Sequence, residues 1–285
     1  MDLQRGDVIG LTACSDGRTE AERAEILRLM AVLQEMGLRP VLSEEIYART
    51  GAYRETARKR AEALMRFYAD DSVRAIFDIS GGDTANGILE YLDFDWIRRH
   101  PKPFWGYSDL TAVLNALFCR SGAVSCLYQI RNLVRDRTGR QLEAFRESLF
   151  SGGERLFRVQ WRFVQGCGME GVVIGGNARC FLKLAGTPYL PDFQGKLLLL
   201  EGYGGGAPQL AAYLRQLRQM GAFSKLSGLL LGSFTRMEER GERADAIGLA
   251  QEIVGDPRFP IAETREIGHQ ASSGCIRIGA LYRLK

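Results

Sequence analysis

The chain has 285 residues, 46% of them hydrophobic and 25% charged, and this composition is typical of a globular protein with one large or two ordinary domains. Its net charge is +4, without a block of Lys and Arg interleaved with aromatic residues, which disfavours a nucleic-acid-binding protein. No apolar run approaches the roughly 18 residues that a membrane span needs, which disfavours a membrane protein.

The cysteines and the first residues predict a protein of the cytoplasm. Six cysteines are scattered without a Cys-x-x-Cys pair, so we interpret them as small, mostly buried residues and not as a disulfide framework or a zinc site. Residues 1–6 lack the basic and apolar regions of a signal peptide.

Strands and helices alternate in the first half of the chain. Apolar runs predict strands over residues 7–13, 38–42 and 73–79 and a further strand that ends at Gly106. Helical spacing predicts helices after a capping box of Thr19 and Glu22, and over residues 54–68, 88–92, 109–118 and 141–150. This alternation predicts an α/β layer with a largely parallel sheet, whose ligands bind beyond the carboxyl ends of the strands.

Ser108 lies at a corner where the strand that ends at Gly106 turns into the helix over residues 109–118. A serine at such a corner exposes its hydroxyl beside the positive end of the helix dipole, which favours developing negative charge. The alternative from these residues alone is an ordinary helix-capping serine. The second glycine of G-x-S-x-G is absent, so this is not the elbow of an ordinary α/β-hydrolase.

Gly81 and Gly82 follow the strand over residues 73–79 and are expected at the same sheet edge as Ser108. Three interpretations stay open. The glycines can serve a tight turn only, their N–H groups can donate to an oxyanion, or Gly81-Gly82-Asp83-Thr84 can hold a phosphate, as in the Gly-Gly-Asp loops of phosphofructokinase-like and NAD-kinase-like enzymes.

A second unit is expected beyond a break at residues 151–154, and we place the domain boundary after residue 156. Apolar and alternating patterns predict strands over residues 157–163, 171–177, 196–201 and 275–284. Glu201 ends the third of these strands.

Residues 202–207, Gly-Tyr-Gly-Gly-Gly-Ala, fit the dinucleotide-binding pattern G-x-G-x-x-G/A between a strand and a helix. The acidic residue expected about 20 positions further on is missing, because residues 226–234 carry no carboxylate. The sequence therefore disfavours NAD binding.

The chain holds two histidines, which limits the choice of a general base. His100 ends a charged helix and is interpreted as a solvated linker residue. His269 lies in a loop of small residues, so serine chemistry with a histidine base would use His269. Together with a strand-end carboxylate, the order is Ser108, Glu201, His269.

At these residues the chain resembles the LD-carboxypeptidase family of serine peptidases. The matching segments, each short but specific in this order, are Gly81–Gly82, Leu89–Asp95, Gly106–Thr111, Gly175–Asn177, Gly186–Gly195, Leu200–Glu201, Gly268–His269 and Ile278–Gly279.

The resemblance implies two domains, an N-terminal α/β domain over residues 1–156 and a C-terminal, β-rich α/β domain over residues 157–285. The first would carry Ser108 as the nucleophile at its strand-helix corner. The second would carry His269 as general base and then acid, with Glu201 orienting it.

The resemblance also implies an oxyanion hole made by the backbone N–H groups of Asp109 and Gly82, with Gly81 and Asn86 near the substrate. It implies no metal and no cofactor, a small peptide or peptide-conjugate substrate, and a homodimer. The expected reaction is hydrolysis of the amide between an L-centre and a terminal D-amino acid in murein peptides.

Three positions depart from the family pattern: Gly87 stands where many members have arginine, Gly202 replaces an acid after Glu201, and Arg277 replaces a common proline. The anion partner of the substrate therefore stays open. Arg131, Arg179 and Lys183 are candidates, or else solvated surface charges.

Three alternative functions follow from the same residues. One is an amidase that detoxifies peptidyl-nucleotide antibiotics of the microcin C kind. Another is a phosphotransferase that uses the Gly81-Gly82-Asp83 loop with Mg²⁺ and a nucleotide. The third is a ligand-binding α/β protein without catalysis, in which Ser108 would be dispensable.

Overall fold

A computed structural model describes residues 2–48 and 53–285 of the chain. Its strands are, in chain order, β1 Val8–Thr12, β2 Arg39–Leu42, β3 Val73–Asp78, β4 Phe104–Gly106, β5 Ser125–Leu127, β6 Arg162–Gln165, β7 Met169–Asn177, β8 Lys196–Gly202, β9 Gly228–Phe234, β10 Ile261–Glu263, β11 Ile276–Ile278 and β12 Leu281–Leu284.

The α-helices are, in chain order, α1 Arg23–Glu35, α2 Tyr53–Ala69, α3 Phe94–Arg99, α4 Thr111–Ser121, α5 Asn132–Arg135, α6 Arg140–Phe150, α7 Ala178–Leu182, α8 Ala207–Gln219, α9 Thr235–Glu239 and α10 Arg243–Val254. Short 3₁₀ helices cover Glu20–Glu22, Ala85–Tyr91 and Ser108–Leu110. The predicted capping box of Thr19 and Glu22 forms at the first of these.

Two sheets organise the described residues, and both are mostly parallel. The first has the strand order β11-β5-β4-β3-β1-β2, with β1 to β5 parallel and β11 antiparallel to β5. The second has the order β12-β7-β8-β9-β10-β6, with β7 to β10 parallel and antiparallel strands at both edges. The predicted α/β class, in two units, is confirmed.

Helix α4 lies between the two sheets, which explains why its sequence is apolar almost all the way round. Residues 111–117 are all buried. Val113, Leu114 and Leu117 share one apolar core with Val173 of β7 and Leu199 of β8. The helix that follows Ser108 is thus fixed on both sides, and it sets the first sheet against the second.

Two predicted strands differ in the structure. The strand expected over residues 157–163 begins only at Arg162, because Phe157 turns under the Arg277 guanidinium, 3.6 Å above its ring, and packs against Trp105. This tertiary contact overrides the local alternation of polar and apolar residues.

The strand expected over residues 275–284 is two strands in different sheets, β11 in the first and β12 in the second. Gly279 separates them with a φ of +88°, where a side chain would also strike the Phe118 ring. The last strands therefore link both sheets, and the domain boundary after residue 156 stays a prediction.

Among the described residues, no helix is both long and apolar enough to cross a membrane.

Candidate active site

Ser108 has a backbone conformation that no other described non-glycine residue adopts. Its φ is +58°, in the left-handed region, between the end of β4 and the start of α4. Such a conformation costs about 1–3 kcal/mol and persists only where the surrounding structure imposes it. The sharp turn leaves Ser108 half-buried at the wall of a cavity, which fits an exposed hydroxyl at a strand-helix corner.

Ser108, His269 and Glu201 form one hydrogen-bonded line, although His269 lies 161 residues after Ser108 and 68 residues after Glu201 in the chain. His269 Nε2 is 3.1 Å from Ser108 Oγ, and His269 Nδ1 is 2.8 Å from Glu201 Oε2. Glu201 is 0% exposed at the end of β8, so its carboxylate faces the imidazole away from water. This arrangement can move a proton from Ser108 to His269.

Tyr107 is a further member of this group that the sequence analysis missed. Its hydroxyl donates to Glu201 Oε2 at 2.9 Å and lies 3.3 Å from His269 Nδ1. Burial, and then the Glu201 charge, raise the pKa of Tyr107 well above its usual range, so the hydroxyl stays a donor. Tyr107 thus holds in place Glu201 Oε2, the same oxygen that contacts Nδ1 of the His269 imidazole.

The Gly81-Gly82 loop is tied down by Asp16. Asp16 accepts from the N–H of Asp83 at 3.1 Å and from the Thr84 hydroxyl at 2.7 Å. Gly82 has a φ of +133° and lies directly against the Asp16 carboxylate, where a side chain has no room. The loop conformation therefore depends on glycine and on a carboxylate from the turn after β1.

Of the predicted loop residues, Gly82 lines the cavity with Ser108, and Gly81 and Asn86 are not among the lining residues. Asn86 is exposed on the 3₁₀ helix Ala85–Tyr91. The roles proposed for Gly81 and Asn86 stay predictions.

The side chain of Asp109 is 0% exposed and holds three elements together beneath Ser108. It accepts from the Ser15 hydroxyl at 2.6 Å and the Ala85 N–H at 2.8 Å, and it pairs with Lys183 Nζ at 2.5 Å. A buried carboxylate with this many donors is well compensated. Asp109 therefore fixes the backbone next to Ser108 relative to the glycine loop.

The cavity has a volume of about 650 Å³ and contains Ser108, Glu201 and His269 in its lining. The lining also includes the segment 202–206, which fits a dinucleotide pattern but here belongs to the cavity of the serine site. Tyr203 is 49% exposed on this segment, with its ring centroid 5.2 Å from that of His269. Tyr213 and Phe234 add to the aromatic wall.

The three basic residues considered as anion partners are all in ion pairs. Arg179 lines the cavity, pairs with Asp83 and donates to the Gly82 carbonyl at 3.1 Å. Lys183 pairs with Asp109. Arg131 is buried and contacts acidic residues of the first domain, so it is not a solvated surface charge.

The second histidine lies elsewhere in the fold. His100 stacks on Trp96, with ring centroids 4.0 Å apart, and is half-buried rather than a solvated linker. His269 is thus the histidine that the fold places beside Ser108.

The side chains that support the hydrogen-bonded line from Ser108 to Glu201 were not predicted from the sequence. Tyr107 follows a buried strand, so its pattern indicates only core. Ser15 and Asp16 lie in a turn 65 and 68 residues before Ser80 and Thr84, the residues that they contact after β3. A carboxylate directly after Ser108, at the first turn of a helix, was the one available signal for Asp109.

Comparisons with known proteins agree with this architecture. A family model of the LD-carboxypeptidase N-terminal domain matches residues 9–128, and a model of the LD-carboxypeptidase C-terminal domain matches residues 170–284. A Bacillus subtilis protein named "Probable murein peptide carboxypeptidase" is 27% identical, covering 98% of this chain and 88% of its own.

A second relative is the microcin C7 self-immunity protein MccF of Escherichia coli, which is 23% identical over 94% of this chain and 87% of its own. The solved structure of MccF in complex with glutamyl sulfamoyl guanosine has a TM-score of 0.83 at 19% identity, covering 98% of this chain and 93% of that one. At this identity the structural likeness shows the fold. Since the two family models together span most of the sequence, the chain belongs to the LD-carboxypeptidase family.

Proposed function

We propose that this protein is a serine peptidase of the LD-carboxypeptidase type, which cleaves the amide between an L-centre and a terminal D-amino acid in murein peptides. The observation that carries the proposal is the hydrogen-bonded line from Ser108 through His269 to Glu201 at the wall of the cavity. The named relative of Bacillus subtilis supports the substrate class.

In the first half of the proposed reaction, Ser108 Oγ attacks the carbonyl carbon and its proton passes to His269 Nε2. Glu201 accepts the Nδ1–H of His269 and stabilises the imidazolium that forms. When the tetrahedral intermediate collapses, the C–N bond breaks and the leaving amine takes the proton from Nε2. The product is an ester between Ser108 and the remaining peptide.

In the second half, water attacks the ester carbonyl while His269 Nε2 takes a proton from it. Collapse breaks the ester bond, returns the proton to Ser108 Oγ and releases the shortened peptide as a carboxylic acid. No redox partner is needed in either half.

The negative charge of the intermediate needs donors fixed in advance, which contribute about 3–4 kcal/mol per donor in serine peptidases. We assign this role to the backbone N–H groups of Asp109 and Gly82. Asp109 is held by its buried side chain, and the peptide after Gly82 is held by Arg179 on its carbonyl and by Asp16 on the next N–H. Both supports reduce the reorganisation that the reaction would otherwise require.

The second candidate is an amidase for peptide-nucleotide conjugates, and the aromatic wall favours it. Tyr203 presents an exposed ring beside His269, and a cavity of about 650 Å³ has room for a nucleoside as well as an amino acid. The relative MccF was solved with such a ligand, glutamyl sulfamoyl guanosine.

A phosphotransferase is poorly supported, because Asp16 occupies the position that a phosphate would take in the glycine loop. Its carboxylate accepts from the Asp83 N–H and the Thr84 hydroxyl, which are the donors that a phosphate would need. A second anion at this position would face electrostatic repulsion.

Hydrolysis of two substrates separates the two peptidase candidates. We expect the wild type to release D-alanine from an L,D-linked murein tetrapeptide, and Ser108→Ala to release none. Faster release of a sulfamoyl nucleoside from a glutamyl conjugate would favour the amidase. Hydrolysis of neither substrate would contradict both candidates.

We also propose that the protein acts in cell-wall recycling, as a homodimer in the cytoplasm. Light scattering of the purified protein tests the dimer directly, because a mass near 31.8 kDa would indicate a monomer.

A further inference from the structure

A row of ion pairs leads to the cavity from the carboxyl ends of the first sheet. It connects, in order, Arg18, Glu22, Arg131, Glu25 and Arg135. Three guanidinium groups thus share two carboxylates, which gives the row a net charge of +1. Arg135 is its last member and the only one of the five in the lining of the cavity.

Arg135 shares its acidic partner with a better-buried arginine. Arg135 Nε is 3.1 Å and Arg131 Nη1 is 3.2 Å from the same oxygen, Oε1 of Glu25. The side chain of Arg131 is 7% exposed and that of Arg135 is 40% exposed. One carboxylate cannot neutralise both, so positive charge remains where Arg135 meets the cavity.

Like charges crowd the buried member of the row, Arg131. Burial, and then the neighbouring Arg135 and Arg18, lower the pKa of Arg131 to about 9. An anion that approached Arg135 would relieve this repulsion as well as gain its own attraction.

The other cations beside the cavity are compensated differently. Arg179 has Asp83 as its partner, and Lys183 has the buried Asp109. Two positive groups thus face two carboxylates on the side of the glycine loop. The uncompensated charge lies on the Arg135 side, at the end of α5, which follows β5, the neighbour of β4 in the first sheet.

We propose that Arg135 binds a carboxylate of the substrate and thereby selects acidic peptides over neutral ones. The inference rests on the proposed function, since it assigns a specificity residue to that same site. Guanidinium and carboxylate groups match in geometry, and charged hydrogen bonds between them are stronger than those between neutral groups. The structure thus provides an anion partner although position 87 is glycine.

The test compares an L,D-linked peptide with its C-terminal amide and with an analogue in which an internal Glu is replaced by Gln. For Arg135→Gln we expect KM for the acidic peptide to rise about 10- to 100-fold, with kcat changed less than about threefold. Arg135→Lys should recover part of the loss, because it keeps the charge but not the fork of donors.

The matched control is Arg215→Gln, which removes an exposed arginine of α8 that pairs with Glu252 of α10 and does not line the cavity. It should leave KM for all three peptides unchanged. Loss of selectivity between acid and amide would place the bound carboxylate at the C-terminus, and loss confined to the Glu/Gln pair would place it inside the peptide. An Arg135→Gln variant that keeps both selectivities would overturn the inference.

A second measurement separates this inference from the proposed function. Two fluorophosphonates, one with a free carboxylate and one with its methyl ester, react with an activated serine without turnover. We expect Arg135→Gln to slow modification by the acidic probe at least tenfold and to leave the ester probe unaffected. Equal rates in both proteins would contradict the role of Arg135 alone, and a wild type inert to both probes and all peptides would contradict the proposed function itself.

Discussion

At the residue scale, the backbone of Ser108 is the feature that most resists an ordinary helix-cap interpretation. A capping serine has extended backbone angles, and Ser108 has a φ of +58°. The Ser108 hydroxyl does not cap its own helix, and it meets the imidazole of His269, which in turn meets the carboxylate of Glu201. The residue is positioned for chemistry at a cost in backbone energy.

This cost can be measured by comparing Ser108→Gly with Ser108→Ala. Both variants lack the hydroxyl, but only glycine adopts a positive φ without strain. We expect Ser108→Gly to be more stable than Ser108→Ala by about 1 kcal/mol, or roughly 2–4 °C in Tm by calorimetry. Equal or reversed stabilities would mean that the backbone at residue 108 is not left-handed.

The role of Tyr107 is tested by Tyr107→Phe, which removes one donor from the Glu201 carboxylate. We expect kcat/KM to fall about tenfold, the value of one hydrogen bond to a charged group. The acidic limb of the pH profile should move to higher pH, because a less compensated Glu201 stabilises the imidazolium of His269 more.

Tyr128→Phe is the control for this change, since Tyr128 is equally buried but donates to Gln141 away from the cavity. Its pH profile should match that of the wild type. A Tyr107→Phe profile that also matched would make Tyr107 a packing residue only.

Ser108, Glu201 and His269 were each predictable as single residues, because each follows or ends a strand or lies in a loop. Tyr107 was not, since an aromatic residue after a buried strand indicates core and gives no sign of a contact 94 residues away. A local pattern carries no information about such a distant partner.

At the element scale, Asp109 connects the start of α4 with the turn after β1 and with α7. We expect Asp109→Asn to lower the free energy of unfolding by about 3 kcal/mol in chemical denaturation, because Lys183 loses its buried counter-charge. In the double variant with Lys183→Met, the loss should be smaller than the sum of the single losses.

Asp95→Asn is the reference for an exposed pair, since Asp95 contacts Arg98 at the surface of α3. Such a pair contributes under about 1 kcal/mol. Additive losses for Asp109 and Lys183 would show that the two side chains do not interact.

Elements were predicted well wherever one local pattern decided them. The alternation of apolar runs and helical stripes gave β1 to β4 with α1, α2, α4 and α6, and the short strand β5 was not predicted. Residues 275–284 were wrongly predicted as one strand, because β11 and β12 alternate in the same way. The turn at Gly279 sends them to different sheets.

At the scale of the whole molecule, the site exists only if the two sheets keep their relative position. Asn115 of α4 makes that connection directly, because its amide accepts from the Gly175 N–H and donates to the Gly175 carbonyl, both at 2.8 Å. Thr111 accepts from the Asn177 N–H at 2.9 Å on the same helix face. Ser108 is thereby held against the strand pair that carries Glu201.

We expect Asn115→Leu to cost about 2–4 kcal/mol of stability, because two buried backbone groups of Gly175 lose their partners. The rate of serine modification should fall as well, since the sheets can shift. Ser121→Ala, on the same helix, removes a bond to the Leu117 carbonyl and a long contact from the Ala123 N–H, and it should cost under about 1 kcal/mol. Equal effects of the two variants would contradict a connecting role for Asn115.

The packing of α4 between two sheets was beyond prediction from sequence. Its apolar surface indicated burial, but nothing in residues 111–121 shows which sheets bury it. The order of the two α/β units along the chain was predictable, and their shared core and shared C-terminal segment were not.

The central claim is that Ser108 is an activated nucleophile. Intact-protein mass after exposure to a serine-directed fluorophosphonate tests it on the wild type, Ser108→Ala and His269→Ala. We expect one adduct on the wild type, none on Ser108→Ala and a much slower reaction of His269→Ala. An adduct of equal yield on Ser108→Ala, or a rate unchanged in His269→Ala, would contradict it.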